Sequence, residues 1–279
     1  MAISRAILHG EVKLLFSPAS CLEWVEGTHD SRRIEDISSF FETSVLLEEC
    51  DANLTFLSEL LEETRRHFPC LALKSVSPIR AIASVPREVI ELAEYHPEFK
   101  RLRGLPPVES PGIKIGVRQW LQGSAGFASR NADAMNERVQ GWKFAMQSTR
   151  DSFRQNNAKF IPREAKVEWA FRQQLSEVLK SVNPDIDQNR LAELLDVDRL
   201  PACSLYVNSI WRYAKAIKDY GPDENDSDDW SQVPGIAYAD FSLIEKSLRH
   251  HLILGDPEAK SRIFNDPIEF ARALSLPME

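Results

Sequence analysis

Acidic residues crowd one stretch of this chain. Asn225-Asp226-Ser227-Asp228-Asp229-Trp230 is followed by Ala237-Tyr238-Ala239-Asp240-Phe241-Ser242-Leu243-Ile244-Glu245-Lys246. A short apolar run is thus bracketed by Asp240 and Glu245. Carboxylates brought together are costly unless they are protonated or neutralised by a cation. Hard divalent ions such as Mg²⁺ and Mn²⁺ prefer such oxygen donors. A metal held this way lowers the pKa of a bound water and stabilises charge on an attacked phosphate. The sharper reading of the stretch is therefore a divalent-metal site. The same pattern also fits a solvated acidic loop beside a strand with ordinary surface acids.

Positioning such a site needs a strand over 241–244, with Glu245 at or near its carboxyl end. A helix starting near Asp229 brings a second carboxylate to the same rim, where open parallel sheets carry their ligands. Asp240 precedes its strand by one residue, so it stands at either end of the arrangement; if at the far end, Glu245 replaces it as the third acid. The N-terminal part offers a matching unit. Val12 to Phe16 reads as a strand, Ser17 caps a helix, and Pro18 sits at its favoured first position. Glu23 rides on that helix, which ends near Gly27.

Further helices follow. Ile34, Ile37, Phe40 and Phe41 recur at helical spacing, as do Leu54, Leu57, Leu60 and Leu61. Glu59, Glu62, Glu63, Arg65 and Arg66 read as the wet face of the latter helix. Leu71 to Val76 reads as an edge strand or an extended crossing. Leu105-Pro106-Pro107-Val108-Glu109-Ser110-Pro111-Gly112 is the strongest linker signal. Beyond it, 113–180 reads as helical, with Val167, Phe171, Leu175, Val178 and Leu179 as one stripe.

Charge divides the chain at the same place. Residues 113–180 hold twelve basic and six acidic residues, a net +6, which leaves -14 elsewhere from the total of -8. Trp120, Trp142, Phe144, Phe153, Phe160 and Trp169 are interleaved with those charges. Arg and Lys on phosphates with bases stacked on aromatics is a common way to hold single-stranded nucleic acid. Aromatics at helical spacing also simply make cores. Arg150, Arg154 and Lys159 are the candidate nucleic-acid contacts.

The last third reads helix, strand, helix, strand, helix. Val207, Ile210, Trp211, Ala214 and Ile217 form the buried stripe of a helix starting at Pro201. Ser261 to Phe264 is a strand, and Asn265 or Asp266 caps a helix with Pro267 at its first position. That rhythm implies parallel strands joined by right-handed crossovers.

At 279 residues the chain suits one large domain or two small ones. Cys21, Cys50, Cys70 and Cys203 show no zinc spacing, which suggests reduced thiols and a cytoplasmic setting. There is no apolar leader at the start, and no run approaches the ~18 residues of a membrane span. Nothing in the pattern suggests a helix-turn-helix.

The acidic stretch resembles the C-terminal half of PIN-like ribonuclease domains. In these an acid begins a helix, a Tyr-Ala-Asp or similar triplet follows, and a short apolar strand ends in Thr-Asp-Lys. Asp229, Tyr238-Ala239-Asp240 and Ile244-Glu245-Lys246 stand at those places. The front is similar too, from Val12 to Ser17 and on to Glu23. The resemblance covers roughly the first and last eighty residues. It departs from the family pattern in that no aspartate precedes Asp30, where the family's first strand carries a metal-binding one. Ile for Thr at 244 and Glu for Asp at 245 are further departures.

The resemblance implies an α/β fold, predominantly helical, with a small parallel sheet of PIN-like type and a large helical insertion. Residues 1–104 and 201–279 would form the two parts of the PIN-like domain, and 105–200 the basic insertion. The implied activity is Mg²⁺- or Mn²⁺-dependent endoribonuclease cleavage. Glu23, Asp229, Asp240 and Glu245 would be catalytic; Glu23, Asp229 and Asp240 would bind metal, with Asp226 as a further ligand. At most one weak metal site is expected without the first-strand aspartate. The alternative is a non-catalytic helical protein that binds RNA or a protein partner.

Overall fold

The structure is a computed structural model that describes residues 2–16, 32, 35–36, 47–49, 52–67, 80–81, 132–155, 193–216 and 226–274. It is mostly helical. In chain order the elements are α1 (Ala2–Leu8), β1 (Leu14–Phe16), β2 (Leu47–Glu49), α2 (Ala52–His67), β3 (Arg80–Ala81) and α3 (Ala132–Gln155). Then come α4 (Pro201–Ala216), α5 (Asp226–Ser231), α6 (Val233–Tyr238), β4 (Ser242–Leu243), α7 (Lys246–Gly255), β5 (Ile263–Phe264) and α8 (Pro267–Ala273). The expected helix, strand, helix, strand, helix order of the last third is observed.

Helix α4 is the hub, packed against α2, α3, α6 and α7. Its apolar residues recur every three or four positions, so one face is continuous: Val207, Ile210 and Ala214 are buried, as expected. Phe56 and Leu60 of α2, Met146 of α3, and Leu248, Leu252 and Ile263 from the C-terminal end join the same cluster. Helix α2 and the C-terminal elements therefore share a core, and α3 contributes to it. Aromatic rings fill its centre. Tyr206 lies 5.7 Å from Phe56 and 5.8 Å from Trp230, both edge-on, and Tyr213 lies 5.3 Å from Trp230. Such edge-to-face pairs match positive ring edges to negative faces.

The strands correct the sequence expectation in one respect. Residues 12–16, 241–244 and 261–264 were expected to share one sheet. Instead β1 pairs with β2 in parallel, and β2 pairs with β3 antiparallel. β4 and β5 form a separate parallel pair, joined through α7. Ser242 donates its N–H to Arg262 O at 2.8 Å, and Ile244 to Phe264 O at 2.9 Å. The strands are two or three residues long, too short for their sequence to mark which neighbour each takes. The inner side of β4–β5 is closed by the core through Ser242 and Ile263, which sit opposite each other. Its other side holds Leu243 opposite Phe264, with Phe264 5.9 Å from Phe270 of α8.

Helix α8 starts as its sequence dictates. Pro267 takes the first position, and the Asp266 carboxylate accepts from Ile268 N at 2.7 Å and Glu269 N at 3.2 Å. Helix α3 runs 24 residues within the stretch read as helical. The Leu71–Val76 stretch, the 167–179 stripe and the 17–27 helix lie outside the described residues.

Candidate functional site

The acidic stretch folds as α5, α6, β4 and the start of α7. Trp230 is buried between Tyr206 and Tyr213 and anchors α5 to the hub. Asp229, its neighbour, is half-buried. Pro234 and Ile236 bury α6, and Tyr238 at its end donates its hydroxyl to Glu59 Oε1 at 2.9 Å. The segment leading to β4 is fixed by Arg262, whose guanidinium donates to Ile236 O at 2.5 Å and Ala239 O at 3.3 Å. Those carbonyls are left over at the end of a helix, where a cation is favoured. Arg249 of α7 donates to Ile263 O at 2.7 Å and ties α7 to β5.

Asp240 and Glu245 come out at opposite ends of β4. Asp240 lies two residues before the strand and Glu245 two residues after it, and both are exposed. Glu245 is thus the acid at the carboxyl end of the parallel pair. It is also the residue before α7, yet its carboxylate makes no cap bond to that helix; Oε2 accepts from Ser247 Oγ at 3.3 Å. Of the other expected ligands, Glu23 lies outside the described residues. Asp226 opens α5, and its side chain lies outside them too. Among the described residues, no three His, Cys, Asp or Glu side chains gather as a metal-holding group.

The expected nucleic-acid contacts separate. Arg150 is buried, with Nε and Nη2 each 3.2 Å from Asp151 Oδ1. Its side chain is 7% exposed, so the expected contact would have to be made by a guanidinium held by Asp151. Arg154, one turn on, is exposed, and Lys159 lies outside the described residues. The aromatics of α3 also separate. Trp142 packs on the core 5.9 Å from Tyr213, whereas Phe144 is 76% exposed.

Sequence reasoning missed a buried carboxylate that accepts three hydrogen bonds. Glu59 was placed on the wet face of α2, but it is buried, as is Glu63. Helix α4 begins Leu200-Pro201-Ala202-Cys203. Leu200, in the capping position, has no side-chain acceptor for the helix's first N–H groups. Glu59 supplies one from 143 residues away, accepting from Ala202 N at 2.6 Å and Cys203 N at 3.0 Å. A negative charge also suits the positive end of the helix dipole. The signal was in the sequence: Glu59 and Glu63 fall three and seven residues after Phe56, on the stripe of Phe56 and Leu60.

Burial pushes the Glu59 carboxyl above its usual range, opposed by the N–H donors of Ala202 and Cys203 and by Tyr238. Burial, and then the Glu59 charge, pushes the Cys203 thiol up. Cys203 is therefore an inert core thiol, not a nucleophile. Glu63 accepts from Arg66 at 2.5 Å and lies 3.0 Å from His67 Nε2, both on its own helix.

No protein-family model, no curated protein and no solved structure matches this chain. No described helix is long and apolar enough to cross a membrane.

Proposed function

We propose that the chain is a PIN-like, metal-dependent phosphodiesterase acting on RNA. The observation that supports this reading is the order of elements around Glu245. A helix bearing Asp229 leads through α6 into β4, β4 runs parallel to β5, and an acid stands where β4 ends and α7 begins. Ligands of open parallel sheets sit at the carboxyl ends of strands. Glu245 and Asp229 would hold Mg²⁺ or Mn²⁺, with Glu23 and Asp226 completing the set. Asp240, at the other end of β4, is left out of it. The donors are all carboxylate oxygens, which fits a hard cation. When bound, such an ion supplies an acidified water and charge stabilisation at the phosphate. The chain's own part is to hold the rim still, through Trp230 under α5 and Arg262 under the end of α6.

Titration calorimetry with Mn²⁺ tests the metal half of the proposal. Wild type is expected to bind one ion weakly, and Glu245→Gln and Asp229→Asn each to lose at least tenfold in affinity. Equal binding by all three proteins would remove these acids from the site. It would favour the rival reading, a non-catalytic helical interaction protein. Asp240→Asn is expected to bind Mn²⁺ as wild type does.

A further inference from the structure

A sheet of two strands has two edges, each with main-chain N–H and C=O groups outside the ladder. The edge of β5 is closed: Ile263 O points away from β4 and accepts from Arg249 of α7. The edge of β4 is open. Ser242 and Ile244 donate to Arg262 O and Phe264 O, so these two residues face β5. Leu243, between them, turns its N–H and C=O the other way, and neither has a hydrogen-bond partner among the described residues. The backbone is still extended at Glu245, so the free edge runs past the ladder. Its side chains are apolar and accessible: Phe241 and Leu243 keep 38% and 43% of their surface in water. Together with Phe264, whose ring lies 6.2 Å from that of Phe241, they line the face of the pair turned away from the core. Natural chains usually block such an edge with a charge or a cover. Here the charges flank the apolar residues instead, with Asp240 before them and Glu245 and Lys246 after.

We propose that β4 is a self-association edge, pairing antiparallel with β4 of a second copy across a twofold axis at Leu243. In that register the N–H and C=O of Leu243 bond reciprocally with those of its twin. By the same alternation, Glu245 N–H of one copy meets Phe241 O of the other. Asp240 of each copy comes opposite Lys246 of the other, and both are exposed. Any shift of register separates these opposite charges, and centring the axis on Glu245 sets two like charges against each other. The edge is thus complementary to itself in hydrogen bonds, apolar side chains and charge, as a twofold contact requires. A strand of another protein would satisfy the same main-chain groups, but the flanking charges favour this chain's own edge. The strand is short, which places the dimer among small, transient interfaces. The proposal goes beyond the nuclease reading and does not depend on it.

Sedimentation equilibrium of the full chain over a range of concentrations reads the association directly. Wild type is expected to pass from monomer to dimer with a micromolar Kd. Leu243→Lys is expected to stay monomeric throughout, because two ammonium groups then meet at the axis. Position 243 is exposed, so its far-UV circular dichroism and Tm should match wild type. Asp240→Lys and Lys246→Asp are each expected to weaken association about tenfold, since two opposite-charge pairs become like-charge pairs. Mixed in equal amounts, these two variants are expected to associate as tightly as wild type, because both opposite-charge pairs re-form between unlike chains. Pairing through another surface would not give that recovery. A monomeric wild type at every concentration would overturn the proposal. So would a dimer that Leu243→Lys leaves intact, or a mixture of the charge variants no tighter than either alone.

Discussion

Glu59→Ala is expected to lower the unfolding free energy by ~3 kcal/mol. The substitution removes the acceptor of two buried backbone donors, Ala202 N and Cys203 N, and of the half-buried Tyr238 hydroxyl. Losing a side-chain cap alone costs about 1 kcal/mol. Each buried donor left without a partner adds about 1 kcal/mol or more, and partial relaxation keeps the sum below the simple total. The loss matters because it falls on the hub. Glu59 joins α2, the start of α4 and the end of α6, so all three lose a common fixed point. Against a typical domain stability of ~5–15 kcal/mol this is a large fraction. Urea denaturation followed by tryptophan fluorescence reads it directly, with Trp142, Trp211 and Trp230 around the hub. A change under ~1 kcal/mol would mean the capping arrangement contributes little.

Glu59→Gln separates charge from shape. One amide oxygen still accepts, but the amide nitrogen then faces a backbone N–H, so an intermediate loss of about 1–2 kcal/mol is expected. The pH dependence has a definite sign. Burial raises the folded-state pKa of Glu59 above its unsuppressed value of 4.5, so the native state holds the proton more tightly than the unfolded chain. Its contribution to stability is full below pH 4.5 and declines as the pH rises through the folded pKa. The advantage of wild type over the non-titrating Gln variant should therefore shrink across that window. An advantage that grew over the same range would mean that the three donors outweigh desolvation.

Gly255→Ala is the second large effect. Gly255 ends α7 where that helix crosses α4 at Ser209, which is fully buried. A Cβ at 255 would lie 2.7 Å from both Ser209 Cα and Ser209 N, and against its Oγ. A flexible side chain could swing away from such a clash, but a helix backbone cannot. Either α7 withdraws from α4 or the last turn of α7 unwinds. Overpacking of this kind usually costs about 1–3 kcal/mol, and the upper end is expected because the colliding atoms are backbone. Thermal melts should show a fall in Tm well beyond that of an exposed control such as Ser261→Ala. An unchanged Tm would mean the helices cross with more room than the structure gives them. Leu252, buried one turn earlier at the same crossing, would then be less tightly held as well.

What the sequence revealed follows from the range of each interaction. Periodicity and capping act within a few residues, so the stripe of α4, the start of α8 at Asp266-Pro267 and the helical reading of 132–155 were legible. Strand existence was legible for the same reason: apolar runs at 12–16, 241–244 and 261–264 each contain a strand. Pairing was not, because β1 and β4 carry no mark of which neighbour each will take. Glu59 shows the same limit in a side chain. Its place on the Phe56–Leu60 stripe was visible, but its partners lie 143 and 144 residues away at a helix start whose own capping residue, Leu200, cannot cap. A leucine in that position is a sign that the acceptor comes from elsewhere. In the acidic stretch, spacing identified Glu245 as a strand-end acid. Whether Asp240 joined it depended on where the strand began, which short apolar runs leave open by a residue or two. Arg150 and Arg154 are both basic residues of one helix, and only the fold separates the buried one from the exposed one.

The nuclease reading is tested most directly by cleavage of a labelled single-stranded RNA. Wild type, Glu245→Gln and Asp240→Asn would be incubated with Mn²⁺ under the same conditions, with an EDTA control. Cleavage by wild type and by Asp240→Asn, stopped by EDTA and reduced at least a hundredfold in Glu245→Gln, is the expected result. Equal cleavage by wild type and Glu245→Gln, or none by wild type, would contradict it.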